Sequence, residues 1–116
     1  MGIQLKEFGK GVGHFKGGLY GNAGSGKTFT ATVFALGIKK YLKLPGRIGF
    51  FDTETGGEFV NKRLVLPQTG ENILGATSRT LSDAIEFIAE CEKQKVAVAI
   101  VDSTTHIWEE VQKSFL

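Results

Sequence analysis

The stretch that decides the fold reads Gly21-Asn22-Ala23-Gly24-Ser25-Gly26-Lys27-Thr28, and it fits the pattern G-x-x-x-x-G-K-[ST] at every fixed position. Several backbone N–H groups must point into one concavity to surround a phosphate, and glycine accepts the positive φ angles that such a turn requires. A helix that follows the turn directs its N-terminus at the same phosphates. The stretch therefore predicts a site for a nucleoside triphosphate.

Two side chains in this stretch carry the chemistry. Lys27 is predicted to contact the β- and γ-phosphate oxygens, which also makes it a candidate catalytic residue. The hydroxyl of Thr28 is predicted to take one place in the octahedral shell of Mg²⁺. The predicted nucleotide contacts are Gly21, Asn22, Ala23, Gly24, Ser25, Gly26, Lys27, Thr28 and Phe29.

The motif needs a strand before it and a helix after it, because a short pattern can arise by chance in a chain with 16 glycines. Upstream, residues 15–20 form a strand candidate that its pair of glycines weakens. Downstream, apolar residues at helical spacing predict a helix over residues 27 to about 43, which Pro45-Gly46 ends. These apolar residues are Phe29, Val33, Phe34, Leu36, Ile38, Tyr41 and Leu42.

The remaining elements alternate between strands and helices. The apolar run 47–52 predicts a buried strand, and the run 96–102 predicts a strand buried on both faces of a parallel sheet. Between them, Thr80 followed by Asp83 resembles a capping box and begins a helix that reaches residue 95. The order of elements is typical of an α/β fold with right-handed crossovers.

Two segments complete this prediction. Residues 56–78 contain a proline and four glycines, and we expect mostly loop there with a short helix near residues 58–63. Residues 104–115 predict a last helix with one apolar side. That side contains Ile107, Trp108, Val111 and Phe115.

Composition indicates one compact cytoplasmic domain over residues 1–116. The 14 basic and 12 acidic residues give a net charge of +2, so no charge pattern indicates nucleic acid or a membrane as a partner. We find neither a secretory nor a membrane-spanning segment. The single cysteine, Cys91, is predicted to be a buried small apolar residue on a helix.

Carboxylates follow both apolar strands. Asp102 ends the second one, and a carboxylate there reaches the Mg²⁺ shell, usually through water. Alone it would equally be a turn residue, but its occurrence together with the stretch 21–28 favours the metal interpretation. Glu54 follows the first strand, at the sheet edge where α/β proteins bind ligands, and it is the candidate that orients the attacking water. The alternative interpretation makes Asp52 and Glu54 solvated turn residues before Gly56-Gly57.

Several other residues have two interpretations. His106 could contact the substrate, although a lone histidine at a helix start is more often structural. Trp108 is predicted to lie in the core rather than to form a stacking platform. Lys62 and Arg63 form either a solvated helix face or a cation that acts across a subunit boundary.

The stretch 21–28, the strand ending in Asp52-Thr53-Glu54 and the strand ending in Asp102-Ser103 together resemble the RecA-like branch of P-loop ATPases. Three features more narrowly resemble phage-encoded AAA-type nucleotide-binding proteins, some of which assist annealing and recombination. They are Phe15-Lys16 shortly before that stretch, Asp52-Thr53-Glu54 with the glycines that follow it, and residues 102–109. The resemblance covers residues 15–110. It implies Glu54 as the catalytic carboxylate, Lys27 and Thr28 as phosphate and Mg²⁺ contacts, and Asp102 as the second metal-shell residue.

The resemblance also implies a three-layer P-loop NTPase sandwich with a parallel sheet, ATP and Mg²⁺ as cofactors, and location in the host cytoplasm for a phage protein. ATP and ADP would be its ligands, and DNA would be a partner by resemblance alone. Such ATPases continue beyond the Asp102 strand, so the chain is expected to correspond to the N-terminal half of a RecA-like core.

Two other function classes remain open. One is a nucleotide-binding module without turnover. The other is a small P-loop phosphotransferase, which ordinarily needs several arginines in a lid, whereas the chain has only Arg47, Arg63 and Arg79.

Independently of function, three core strands would leave an apolar edge at residues 96–102, so we expect the chain to self-associate or exchange strands.

Overall fold

The structure is a computed structural model that describes residues 17–18, 26–54 and 56–115. Within these ranges the chain has an α/β fold with a three-stranded parallel sheet in the order β2-β1-β3. The strands are β1 (Ile48–Asp52), β2 (Leu74–Thr77) and β3 (Val98–Asp102). The helices are α1 (Lys27–Tyr41), α2 (Gly57–Val60), a π-helical turn (Asn61–Val65), α3 (Leu66–Thr69), α4 (Leu81–Lys93) and α5 (Thr104–Phe115).

The central strand β1 organises the sheet. All five of its residues are buried, as the apolar run 47–52 predicts, and it pairs in parallel with a strand on each side. The register places Asp52 beside Asp102 of β3 and beside Thr77 of β2. The carboxyl ends of the three strands therefore lie in line at one edge of the sheet.

Helices cover both faces of this sheet, because successive side chains of a strand point to opposite sides. Phe50 packs in one cluster with Leu36 of α1, Val60 of α2 and Val65 of the π-helical turn. Phe51 points to the other face and meets Phe87 of α4 with ring centroids 5.4 Å apart. The two hydrophobic clusters thus form the two interfaces between a central sheet and its outer helices.

The start of α4 confirms the predicted cap. The Thr80 hydroxyl accepts a hydrogen bond of 3.1 Å from the backbone N–H of Asp83, and the Ser78 hydroxyl donates to the Asp83 carboxylate at 2.6 Å. Hydrogen bonding lowers the pKa of Asp83 below its usual value; the bond with Ser78 has the larger effect and the bond with Thr80 the smaller one. At the other end of α4, Cys91 is half-buried, and burial together with the charge of Glu90 raises the pKa of its thiol.

The prediction of mostly loop over residues 56–78 is wrong, although the short helix expected near residues 58–63 is present as part of a longer helical segment. Residues 57–69 are continuously helical, and residues 74–77 form strand β2. The sequence Leu-Gly-Ala-Thr of β2 has little intrinsic strand propensity, so its pairing with β1 must decide its conformation. Gly75 is required there, since a Cβ atom at this position would lie 2.7 Å from the carbonyl oxygen of Phe50.

Strand β3 is shorter and less buried than predicted. It begins at Val98, and only Ile100 is fully buried, whereas Ala99 is exposed. Within the described ranges β3 pairs with β1 alone, which leaves its other edge uncovered. Gly17 and Gly18, the two described residues of the strand predicted over residues 15–20, are exposed and lie outside the sheet, and its other residues lie outside the described part.

Apolar residues on the helices are also more exposed than a core assignment predicts. Trp108 of α5 is 60% exposed, so the prediction that it lies in the core is wrong. In α1 the buried residues are Thr32, Ala35 and Leu36. The helical spacing of apolar residues correctly predicted a helix, but it did not predict which side of that helix packs against the sheet. The exposed apolar residues of this helix and its end are Phe29, Val33, Phe34, Tyr41 and Leu42.

Candidate functional site

The N-terminus of α1 lies against the carboxyl end of β3. The hydroxyl of Thr28 donates a hydrogen bond of 2.5 Å to Oδ2 of Asp102. The sequence predicted that these two residues belong to one Mg²⁺ shell, and the structure places them in direct contact across 74 positions of the chain. A hydroxyl and a carboxylate oxygen therefore lie next to each other at the carboxyl edge of the sheet.

The residue before α1 has the conformation that the motif requires. Gly26 has a φ of 83°, in the left-handed region that favours glycine, and its carbonyl oxygen accepts a hydrogen bond of 2.9 Å from Thr30. Lys27, the first residue of the helix, is half-buried. Phe29 is 47% exposed. Gly21, Asn22, Ala23, Gly24 and Ser25 lie outside the described residues, so their phosphate contacts stay a prediction.

Thr53 fastens β1 to β3 directly beside Asp102. Its side chain is almost completely buried; its hydroxyl donates to the carbonyl oxygen of Asp102 at 2.9 Å and accepts from the backbone N–H of Ser103 at 2.8 Å. The backbone N–H of Thr53 donates to the same carbonyl at 2.8 Å. Sequence reasoning missed this role, because nothing in the local pattern shows which strand lies next to Thr53.

We expect Thr53→Val to lower the free energy of unfolding by about 1–3 kcal/mol, because it leaves the buried N–H of Ser103 without its acceptor. Urea unfolding measures this change. Thr77→Val is the matched control, since Thr77 is an exposed strand residue, and its effect should stay within about 0.5 kcal/mol. Equal effects of the two substitutions would show that the Thr53 hydroxyl contributes nothing particular.

Asp52 holds the turn that carries Glu54. Its side chain is 8% exposed, and it accepts hydrogen bonds from the backbone N–H groups of Glu54, at 2.9 Å, and Gly57, at 2.8 Å. A Cβ atom at Gly57 would lie 2.9 Å from Oδ2 of Asp52, so this close approach requires glycine. The interpretation of Asp52 as a solvated turn residue is therefore wrong: Asp52 is the buried last residue of β1, and its carboxylate holds the turn that follows.

The Glu54 side chain meets helix α5. Its Oε1 atom lies 2.6 Å from Nε2 of His106, and the side chains are 61% and 22% exposed, respectively. The contact joins the turn after β1 to the first turn of the helix after β3. The sequence contained the signal, because both residues follow the carboxyl ends of strands that proved to be adjacent, but it did not indicate the pair.

A cation also lies at this edge. The guanidinium of Arg79 donates through Nε to the carbonyl oxygen of Thr53 at 3.0 Å. Arg79 precedes α4 and is exposed. The other two arginines are engaged away from these strand ends: Arg47 donates to the carbonyl oxygen of Asn72, and Arg63 lies over the ring of Phe59.

The donor set at the edge fits Mg²⁺ bound together with a phosphate. Within the described ranges, no three His, Cys, Asp or Glu side chains form a group that could hold a metal ion. Mg²⁺ does not need such a group, since it usually keeps several waters and takes one or two protein ligands plus substrate phosphate oxygens. Thr28 and Asp102 supply that smaller set.

Comparisons with known proteins identify no relative, so a functional assignment depends on the residues of the site and their geometry. No helix within the described ranges is long and apolar enough to cross a membrane. No protein-family model matches the chain, and neither a curated protein nor a solved structure is significantly similar to it.

Proposed function

We propose that the chain binds ATP with Mg²⁺ where α1 meets β3 and hydrolyses the γ-phosphate as a RecA-like ATPase. The observation that carries this proposal is the 2.5 Å contact between the Thr28 hydroxyl and the Asp102 carboxylate. It supports the proposal because it joins the last residue of the G-x-x-x-x-G-K-[ST] stretch to a strand-end carboxylate, which is the combination that Mg²⁺ with a nucleoside triphosphate requires.

Each residue then has one task. Lys27 binds the β- and γ-phosphates as a point charge, while Thr28 and Asp102 hold the metal directly or through water. Glu54 orients the attacking water and accepts its proton. Mg²⁺, when bound, would neutralise the charge that develops on the transferred phosphoryl group.

Two alternatives use the same residues differently. A phosphotransferase would need arginines that close over the transferred phosphate, and Arg47 and Arg63 are engaged elsewhere, which argues against this alternative. A nucleotide-binding module without turnover would need no oriented carboxylate. The 2.6 Å contact of Glu54 with His106 therefore favours hydrolysis over binding alone.

A titration with ATP and a phosphate-release assay, each with and without Mg²⁺ and single-stranded DNA, test the proposal. We expect saturable, Mg²⁺-dependent ATP binding together with release of phosphate. Binding without release would identify the binding module, and release only with an added phosphate acceptor would identify a phosphotransferase. Absence of binding would overturn all three. Stimulation by DNA would support a role in recombination or annealing.

A second copy of the chain is the further partner that we propose. Within the described part, β3 has an uncovered edge, and α1 exposes several apolar residues beside the sheet. An uncovered strand edge pairs readily with another chain. We expect the average mass from light scattering to rise with protein concentration, and a constant monomer mass across the series would show this prediction to be wrong.

A further inference from the structure

We propose that His106 is a positioning residue that holds the Glu54 carboxylate for catalysis. This inference rests on the proposed hydrolysis. Glu54 is 61% exposed and projects from a turn, so its flexible side chain would otherwise occupy several rotamers. The 2.6 Å contact between Oε1 and Nε2 of His106 selects one of them. The contact uses Oε1, so Oε2 is the oxygen that we assign to the attacking water.

The two nitrogen atoms of the His106 ring have different surroundings. Its Nδ1 atom is buried and has no hydrogen-bond partner among the described residues, and Oε2 of Glu109 lies 3.8 Å away. The Nδ1 edge of the ring thus faces inward and the Nε2 edge faces Glu54. A carboxylate without a proton only accepts hydrogen bonds, so the form of the ring that supports this contact carries a proton on Nε2. His106 therefore presents a directed donor to Glu54.

The junction between β3 and α5 also fixes the turn that carries Glu54. His106 is the third residue of α5, and α5 begins two residues after Asp102. The hydrogen bonds of Thr53 with Asp102 and Ser103 fasten that junction to the end of β1. Glu54 is thereby tied to the β3–α5 junction at its backbone, through the neighbouring Thr53, and at its carboxylate, through His106. A carboxylate near the first turn of a helix is also favoured by the helix dipole.

A purely structural role would have a different signature. The Glu54 side chain is 61% exposed, and hydrogen bonds and ion pairs of an exposed side chain contribute little to folding stability. The Glu54–His106 contact should therefore matter little for unfolding. Misplacement of a reacting group, in contrast, can lower a rate strongly without changing substrate affinity.

Two substitutions of His106 separate these roles. The amide nitrogen of glutamine reaches approximately the place of imidazole Nε2, whereas the amide of asparagine reaches only the place of Nδ1. We expect His106→Asn to lower kcat about tenfold with KM for ATP changed by less than about twofold, as for loss of an oriented group. His106→Gln should retain kcat within about threefold. Lys113→Gln is the control for a change of charge on the same helix; Lys113 is 75% exposed and pairs with Glu110, so kcat should stay unchanged.

A double-mutant cycle tests whether His106 acts through Glu54. If it does, Glu54→Gln combined with His106→Asn should have the same kcat as Glu54→Gln alone, because the residue that His106 orients is already inactive. Multiplication of the two effects would overturn the inference. Equal loss of kcat in the Gln and Asn variants would also overturn it, as would loss of folding in both, judged by urea unfolding.

Failure of the proposed function appears in a different measurement. A wild-type chain that binds no ATP or releases no phosphate overturns the proposed hydrolysis, and this inference with it. A wild-type chain that hydrolyses ATP while His106→Asn keeps its full kcat overturns this inference alone.

Discussion

Lys27→Ala is expected to weaken ATP affinity about 10- to 100-fold, since a charge-assisted contact contributes roughly 1.5–3 kcal/mol and each 1.4 kcal/mol corresponds to a factor of ten. The substitution removes the cation that balances the β- and γ-phosphates. Lys27 belongs to neither hydrophobic cluster, so the fold should remain intact. Isothermal titration with ATP and Mg²⁺ measures the affinity, and urea unfolding checks the fold.

Lys40→Ala is the matched control for Lys27. It removes the same charge from the exposed side of the same helix, near the opposite end of α1. ATP affinity should change by less than about twofold, because the charges of exposed side chains more than a Debye length apart are largely screened by salt. Unchanged affinity in Lys27→Ala would remove the interpretation of residues 21–28 as a phosphate-binding loop.

Glu54→Gln is expected to lower kcat about a hundredfold or more while ATP and Mg²⁺ binding remain at the wild-type level. The amide keeps the shape of the carboxylate and can still accept a hydrogen bond from His106, but it cannot accept a proton from water. Steady-state phosphate release gives kcat, and titration gives the affinity.

Glu58→Gln makes the same chemical change at a neighbouring exposed position, in the first turn of α2, and should leave kcat within about twofold of the wild type. A loss of binding as large as the loss of turnover in Glu54→Gln would instead make Glu54 a structural or metal-binding residue.

The elements that the sequence predicted correctly have strong local signals. The helix α4 has a cap formed by Thr80 and an amphipathic pattern, and β1 is a continuous apolar run between turn residues. Strand β2 has neither signal. Its conformation depends on pairing with β1 and on the close backbone approach at Gly75, both of which are non-local. Propensity alone therefore predicted a loop there.

Burial was predicted less well than element type. A run of apolar residues at 96–102 indicated a strand buried on both faces, yet Ala99 is exposed, because burial depends on which elements lie beside a strand. Trp108 shows the same limit. Its spacing places it next to Ile107 on α5, but Ile107 meets Phe51 and α4, while Trp108 points away from that contact.

By itself, the sequence determined the α/β class, the parallel arrangement and the candidates Lys27, Thr28, Glu54 and Asp102, because each follows from local residue types and spacing. It also predicted one shared site for them, but only the tertiary structure decided which side chains are in direct contact. Thr28 reaches Asp102, and Glu54 reaches His106, since the parallel register sets Asp52 beside Asp102 and so brings the following turns together. Register is a relation between distant segments, and the spacing of residues within one segment does not encode it.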